Sequence, residues 1–164
     1  MNTEVHSFNP AGLLTALKGV GAALGKPKQE VRKAIHELGL EMEVLPQCEQ
    51  GLRHIYADGL YGREWTCDAG CIIVTEIHKV QHISSLTKGK IVVTSDSGCQ
   101  VMEAPQFFVT EPGTQRVLLT LEPTVFTTVH LNPDNEKDPD VLKAKLTVRT
   151  YDQLDGFEVQ GVLQ

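Results

Sequence analysis

The chain has no apolar run near the ~20 residues that a membrane-spanning helix needs. Its first residues, MNTEVHSFNP, lack a basic stretch ahead of an apolar one and do not read as a signal peptide. It has no basic excess: 15 Lys and Arg stand against 21 Asp and Glu, for a net charge of -6. That balance argues against a broad nucleic-acid footprint, which needs clustered cations. Lys26, Lys28, Arg32 and Lys33 are a local exception and read as a solvated helix face. Cysteine is scarce, with four in 164 residues and no paired C-x-x-C. Cys67 and Cys71 bracket the turn Asp68-Ala69-Gly70 at a spacing unlike a zinc knuckle, so Cys48, Cys67, Cys71 and Cys99 are expected to act as small apolar residues. No nucleophile elbow, phosphate loop or dinucleotide-binding glycine pattern occurs. These absences leave a cytoplasmic protein with neither a membrane nor a nucleic-acid partner as the expectation.

What is present divides into three stretches. Residues 1–45 are helical in pattern after a loose start over residues 1–9. Leu13, Leu14, Leu17, Val20 and Leu24 recur at helix spacing. Pro27 opens a second helix with a Val31, Ile35, Leu38 stripe, and Gly39 is its expected stop. Residues 40–59 read as irregular around Pro46 and Gly51. Residues 46–131 are otherwise a series of short strands: Tyr61 to Cys67, Cys71 to His78, Ile83 to Thr87, Lys90 to Thr94, Gln100 to Glu103, Gln106 to Thr110, Arg116 to Leu121 and Thr124 to Leu131. Gly and Pro separate them at even intervals, which is the pattern of a sandwich or barrel. Tyr61, Trp65, Phe107, Phe108 and Phe126 are its expected aromatic core. Residues 132–164 form an acidic tail that packs on the barrel. Asp138-Pro139 should cap a helix through Val141, Leu142 and Leu146, and Tyr151 to Phe157 a last turn.

The chemistry concentrates in GCIIVTEIHKVQHISSLTKG, from Gly70 to Gly89. Strand alternation puts Ile72, Val74, Glu76 and His78 on one face, and His82 follows on the next strand. Two imidazoles and one carboxylate form a ligand set for a divalent metal such as Zn, Fe, Mn or Ni. The plain alternative is a polar interior in which Glu76, His78 and His82 hydrogen-bond one another and hold no metal. Arg116 could pair with Glu76, or could bind an anionic or carbonyl-bearing ligand through its planar fork. Thr128 and His130 share a strand face with Phe126 and are, with Arg116, the expected ligand-binding residues, and His130 could alternatively supply a replacement metal ligand.

These residues resemble the first motif of the cupin superfamily. Gly70 opens the motif and Gly89 closes it. Glu76 stands at the first His of the family's His-x-His, His78 at the second, and His82 at the family's Glu. The second motif is similar in its Glu111-Pro112-Gly113 turn, with Arg116 in place of the His and Thr120 in place of the Asn. From Pro46 to His130 the chain resembles small cupins of tailed bacteriophages more closely, through Gly59 to Glu64, Ile77-His78-Lys79, Lys88-Gly89-Lys90 and Thr124 to His130. The resemblance covers about half of the chain. It implies a mainly β fold, a cupin-type double-stranded β-helix or jelly-roll barrel, here with an N-terminal helical hairpin and a short C-terminal helix. It implies a pocket for a small polar or anionic ligand, with a divalent metal as a further candidate. The alternatives are a virion structural or accessory protein, which would move the expected location to the virion, and a metal-dependent isomerase or oxygenase. A homo-oligomer or a complex with phage structural proteins is the expected assembly.

Overall fold

The computed structural model describes residues 10–48 and 50–155. The expectations for residues 1–9 and for Phe157 lie outside them. Two helices come first, α1 (Pro10–Ala23) and α2 (Lys28–Glu43). Gly39 does not end α2. The helix runs four residues further, and Val74 packs at 3.5 Å from where a Cβ on Gly39 would stand. The hairpin hides its stripes on the strands. Val20, Ala23, Val31, Ala34, Ile35 and Leu38 form one core with Val117, and Ile72 and Val74 pack against it.

The strands are β1 (Gly51–Ala57), β2 (Leu60–Cys67), β3 (Ile72–Val74), β4 (Ile77–His78), β5 (His82–Lys88), β6 (Lys90–Ser95), β7 (Gly98–Glu103), β8 (Gln106–Thr110), β9 (Val117–Thr120), β10 (Thr124–Leu131) and β11 (Thr147–Val148). Helices α3 (Pro139–Leu146) and α4 (Tyr151–Asp155) flank β11. One sheet has the order β1-β2-β10-β5-β8, a second β3-β9-β6-β7, and β11 pairs with β4 in a third. All pairings are antiparallel. The fold is mainly β, a jelly-roll barrel of two facing sheets with a helical hairpin before it and short helices after it.

Two stretches differ from the sequence pattern. Gly51 to Ala57 is a full strand paired along β2, although Pro46 and Gly51 mark the region as irregular. The run from Cys71 to His78 is broken into β3 and β4 at Thr75 and Glu76. There the Thr75 N–H donates to the Arg116 carbonyl, and the Thr75 hydroxyl accepts from the Arg116 N–H. The break shifts side-chain parity by one. Ile73 packs into the barrel while Ile72 and Val74 face the hairpin, yet His78 points back inward. A one-residue slip exchanges the faces of everything beyond it.

The five-stranded sheet presents its inner side chains in three rows. Gln106, Leu86, Phe126, Trp65 and Leu52 form the first across β8, β5, β10, β2 and β1. Phe108, Ser84, Thr128, Arg63 and His54 form the second in the same order. Thr110 and His82 on one side, and His130, Tyr61 and Tyr56 on the other, form the third. Leu86 and Phe126 of the first row meet Ile91, Val93, Met102 and Leu118 of the opposite sheet in the main core. The interior thus changes from apolar to polar along the strands. Phe107 is not core. It alternates to the outer face and is 72% exposed, whereas Phe108 packs inside.

Gly89, between β5 and β6, takes a φ of 92°. A Cβ there would lie 2.6 Å from the Pro123 carbonyl oxygen, so the turn demands glycine twice over. Asp138 caps α3 as expected, accepting from the N–H groups of Asp140 and Val141, with Pro139 in the first turn. Leu142 and Leu146 of α3 then pack with Tyr61 and Val80 over the polar end of the barrel.

Leu38 is fully buried between hairpin and strands. Leu38→Ala should therefore cost about 2–5 kcal/mol of stability in urea unfolding, within one cooperative transition. Leu40→Ala, at a residue 51% exposed, should cost about 0.5 kcal/mol or less. Two separate transitions in the parent chain would show that hairpin and barrel do not share a core.

Candidate functional site

The polar end gathers three imidazoles. Ring centroids of His78 and His82 lie 4.2 Å apart, those of His82 and His130 4.3 Å, and those of His78 and His130 6.2 Å. They come from β4, β5 and β10, the third reached because β10 pairs beside β5. His82 and His130 are buried. The His82 Nδ1 lies 3.3 Å from the Val80 carbonyl, which can only accept, so Nδ1 carries the proton and Nε2 presents a lone pair. His130 Nε2 shares a hydrogen bond of 3.0 Å with the Thr128 hydroxyl. His78 Nδ1, His82 Nε2 and His130 Nδ1 are buried without any partner. Three such atoms side by side are unusual in a folded interior.

Burial pushes the His78 imidazole down to about 3, helped by His82, His130, Arg116 and Arg63. Burial does the same to His130, also to about 3, helped by His82 and Arg63. His82 is lowered by burial and by Arg116, against the opposing hydrogen bond to Val80. All three are neutral near pH 7.

Arg116 precedes β9 and reaches back under β8. Its Nη1 donates to the Thr110 hydroxyl at 3.2 Å, and Thr110 in turn shares a 2.7 Å bond with Ser84. The guanidinium carbon lies 5.4 Å from the centre of the Phe108 ring, within cation–π range. Burial lowers its pKa, and no carboxylate among the described residues pairs with it. Arg116 also lines a groove of about 500 Å³ at the barrel mouth. Ser95, Ser97 and Gln100 of the β6–β7 hairpin form one wall, and Lys28 and Arg32 of α2 reach the rim. Arg32 is held at 2.8 Å by Asp96. No histidine lines this groove.

Glu76 does not join the histidines. One carboxylate oxygen lies 3.0 Å from the Lys143 ammonium, and the other accepts from the Thr147 hydroxyl. Burial alone would raise its pKa, but those two bonds and the charges of Lys143 and Arg149 outweigh it and hold the carboxyl below its usual range. The expected ligand set of Glu76, His78 and His82 is therefore not assembled, and the expected Glu76–Arg116 pair does not form. The parity shift at Thr75 and Glu76 is the reason. It turns His78 inward and leaves Glu76 facing the C-terminal segment. Among the described residues no three His, Cys, Asp or Glu side chains stand in metal-holding geometry. His130, by contrast, stands in the cluster, with Thr128 beside it. Tyr61 is a member that pattern reading placed only in the core. Its hydroxyl lies 2.8 Å from His54 Nδ1, and its ring stacks on His130. The β2–β10 pairing that joins them has no signal in either strand alone.

No protein-family model and no curated protein matches the chain. Solved structures resemble it in fold. The likeness is to cupin-domain proteins. An RmlC-like cupin from Shewanella frigidimarina gives a TM-score of 0.45 at 16% identity, over 56% of this chain and 80% of that one. A cupin domain from Bordetella pertussis gives 0.43 at 12% identity, over 54% and 98%. The oxalate decarboxylase of Lactobacillus farciminis, in a formate complex, gives 0.47 at 16% identity, over 62% of this chain and 37% of that one. Each is a likeness of barrel architecture alone. No helix among the described residues is long and apolar enough to cross a membrane.

The depressed imidazoles make stability depend on pH. Each stays neutral when folded and takes up a proton below its ordinary value when unfolded, so the unfolded chain binds more protons between about pH 6.5 and 3. The contribution is complete above pH 6.5 and fades as pH falls toward 3. The folding free energy from urea titrations should drop from pH 7 to pH 5, and the drop should shrink in a His78→Gln, His130→Gln double variant. An equal drop in parent and variant would mean that the cluster is not buried.

Proposed function

We propose that the chain is a cupin-type binding protein whose barrel mouth takes a small anionic ligand, with Arg116 as its anchor. The observation that carries this reading is a half-buried guanidinium with no carboxylate partner at the wall of a groove large enough for a small molecule. Removing an unpaired charge from water costs free energy that a bound anion returns. The planar fork suits a carboxylate or phosphate, and its single bond to Thr110 leaves further N–H groups to offer. Lys28 adds positive charge at the rim, where Arg32 is already paired with Asp96, and Ser95 and Ser97 add hydroxyls. Glu111 also borders the groove, where its carboxylate accepts from Gln81.

The three unpartnered ring nitrogens favour a second reading. Neutral imidazoles are metal ligands, and a backbone carbonyl on the far nitrogen is the support that such ligands have. His78, His82 and His130 would hold a divalent cation after small ring movements. Bound there, it would supply a Lewis acid beside the Arg116 site. Glu76 has no part in this set.

Calorimetry with inorganic phosphate and with malonate tests both readings. One of these anions should bind the parent chain and lose about tenfold or more in affinity with Arg116→Gln. Arg116→Met without ligand should melt no lower than the parent, because it removes an unpaired charge. Zinc should bind one per chain, be lost in His82→Ala and His130→Ala, and be kept in Glu76→Gln. Unchanged anion binding in Arg116→Gln removes the first reading. Zinc lost with Glu76→Gln but kept with His130→Ala removes the second.

A further inference from the structure

Two strand edges border the groove that Arg116 lines. β8 pairs with β5 alone and β7 with β6 alone, so each ends its sheet. Both leave the Ala104-Pro105 corner for the barrel mouth. There Gly98, Cys99 and Gln100 of β7, and Val109 and Glu111 at the end of β8, line the same groove of about 500 Å³. Every second residue of an antiparallel edge strand turns its N–H and C=O away from its partner. Outside the two ladders, residues 98–103 and 106–110 make no backbone hydrogen bond among the described residues. Natural edges are guarded by charge, by proline or by a covering segment. β8 has neither charge nor proline in Gln106-Phe107-Phe108-Val109-Thr110, and its Phe107 and Val109 stand 72% and 54% exposed. Arg116 lies against the inner side of this same edge, 3.2 Å from the Thr110 hydroxyl and 5.4 Å from the centre of the Phe108 ring.

We propose that the groove takes the C-terminal residues of an extended peptide, which add to β8 as a further strand and set their terminal carboxylate on Arg116. The site rests on the Arg116 anchor proposed above and names the class of its anion. The peptide enters at the mouth beside Glu111, runs antiparallel to β8 and ends level with Phe108 and Thr110. From Glu111 to Phe108 is about 10 Å of strand, room for two or three residues. Main-chain bonds to the β8 edge supply affinity that depends little on peptide sequence, and the carboxylate fixes where the peptide stops. Lys28 adds a positive charge at the rim. The two acids on the groove are already engaged, Asp96 by Arg32 and Glu111 by Gln81. A second copy of this chain is the poorer occupant. Its β8 could satisfy the edge, but residues 106–110 hold no acid to meet Arg116. A free phosphate would meet Arg116 and leave the edge bare.

Calorimetry and hydrogen exchange on the full chain with the tripeptide N-acetyl-Thr-Thr-Val test this. The free acid should bind, and its C-terminal amide should bind about tenfold or more weakly. Methylating the last two peptide nitrogens should cost about tenfold as well, because it removes the donors that a strand offers. Amide exchange within residues 106–110 should slow with the free acid and stay unchanged with malonate. Equal binding of acid and amide, or binding that leaves exchange in β8 unchanged, overturns the proposal. Failure of the tripeptide while malonate binds through Arg116 overturns it and leaves the small-anion reading standing. Failure of the tripeptide, malonate and phosphate together removes both.

Discussion

The structure depends on how apolar and polar side chains are shared out along the space between its two sheets. Leu86, Phe126 and Trp65 meet Ile91, Val93, Met102 and Leu118 and hold the sheets together by burial. Each strand also gives an inner residue to the rows beyond, and there hydroxyls and imidazoles replace hydrocarbon. The apolar rows carry the cohesion, so the polar rows need not. Tyr61 and Val80, packed with Leu142 and Leu146, close the far end and keep that polarity out of water. The histidines are neutral first because of this closure, and the neighbouring guanidiniums add to it.

A positive field therefore pervades an interior that holds no acid of its own among the described residues. Arg116 and Arg63 both depress the neighbouring imidazoles, and Arg116 has only a hydroxyl and an aromatic ring to lean on. A barrel built for stability alone would place an aliphatic side chain there. The departure from that rule is local, which is the usual mark of a site.

The strand series, the turn glycines and the Asp138 cap were legible in the sequence, because each rests on residues close together in the chain. Leu38 and its stripe were legible for the same reason. The trio of histidines was half legible. His78 and His82 are four residues apart, but His130 arrives through a strand pairing that no local pattern encodes. Glu76 misled because alternation assumes an unbroken strand, and the break at Thr75 and Glu76 is made by Arg116 from a distant segment. Phe107 misled because two adjacent phenylalanines cannot both face inward, and only pairing decides which one does.

Glu76 illustrates how a tail can edit a site without touching it. Its carboxylate is the one acid that the Gly70 to Gly89 segment places next to the histidines in sequence, and Lys143 and Thr147 claim it from outside the barrel. The break at Thr75 and Glu76 keeps that carboxylate outside the barrel, and the C-terminal segment takes it up there. Any lineage that shortened or recharged α3 would leave a spare carboxylate on the surface beside the barrel rather than within it.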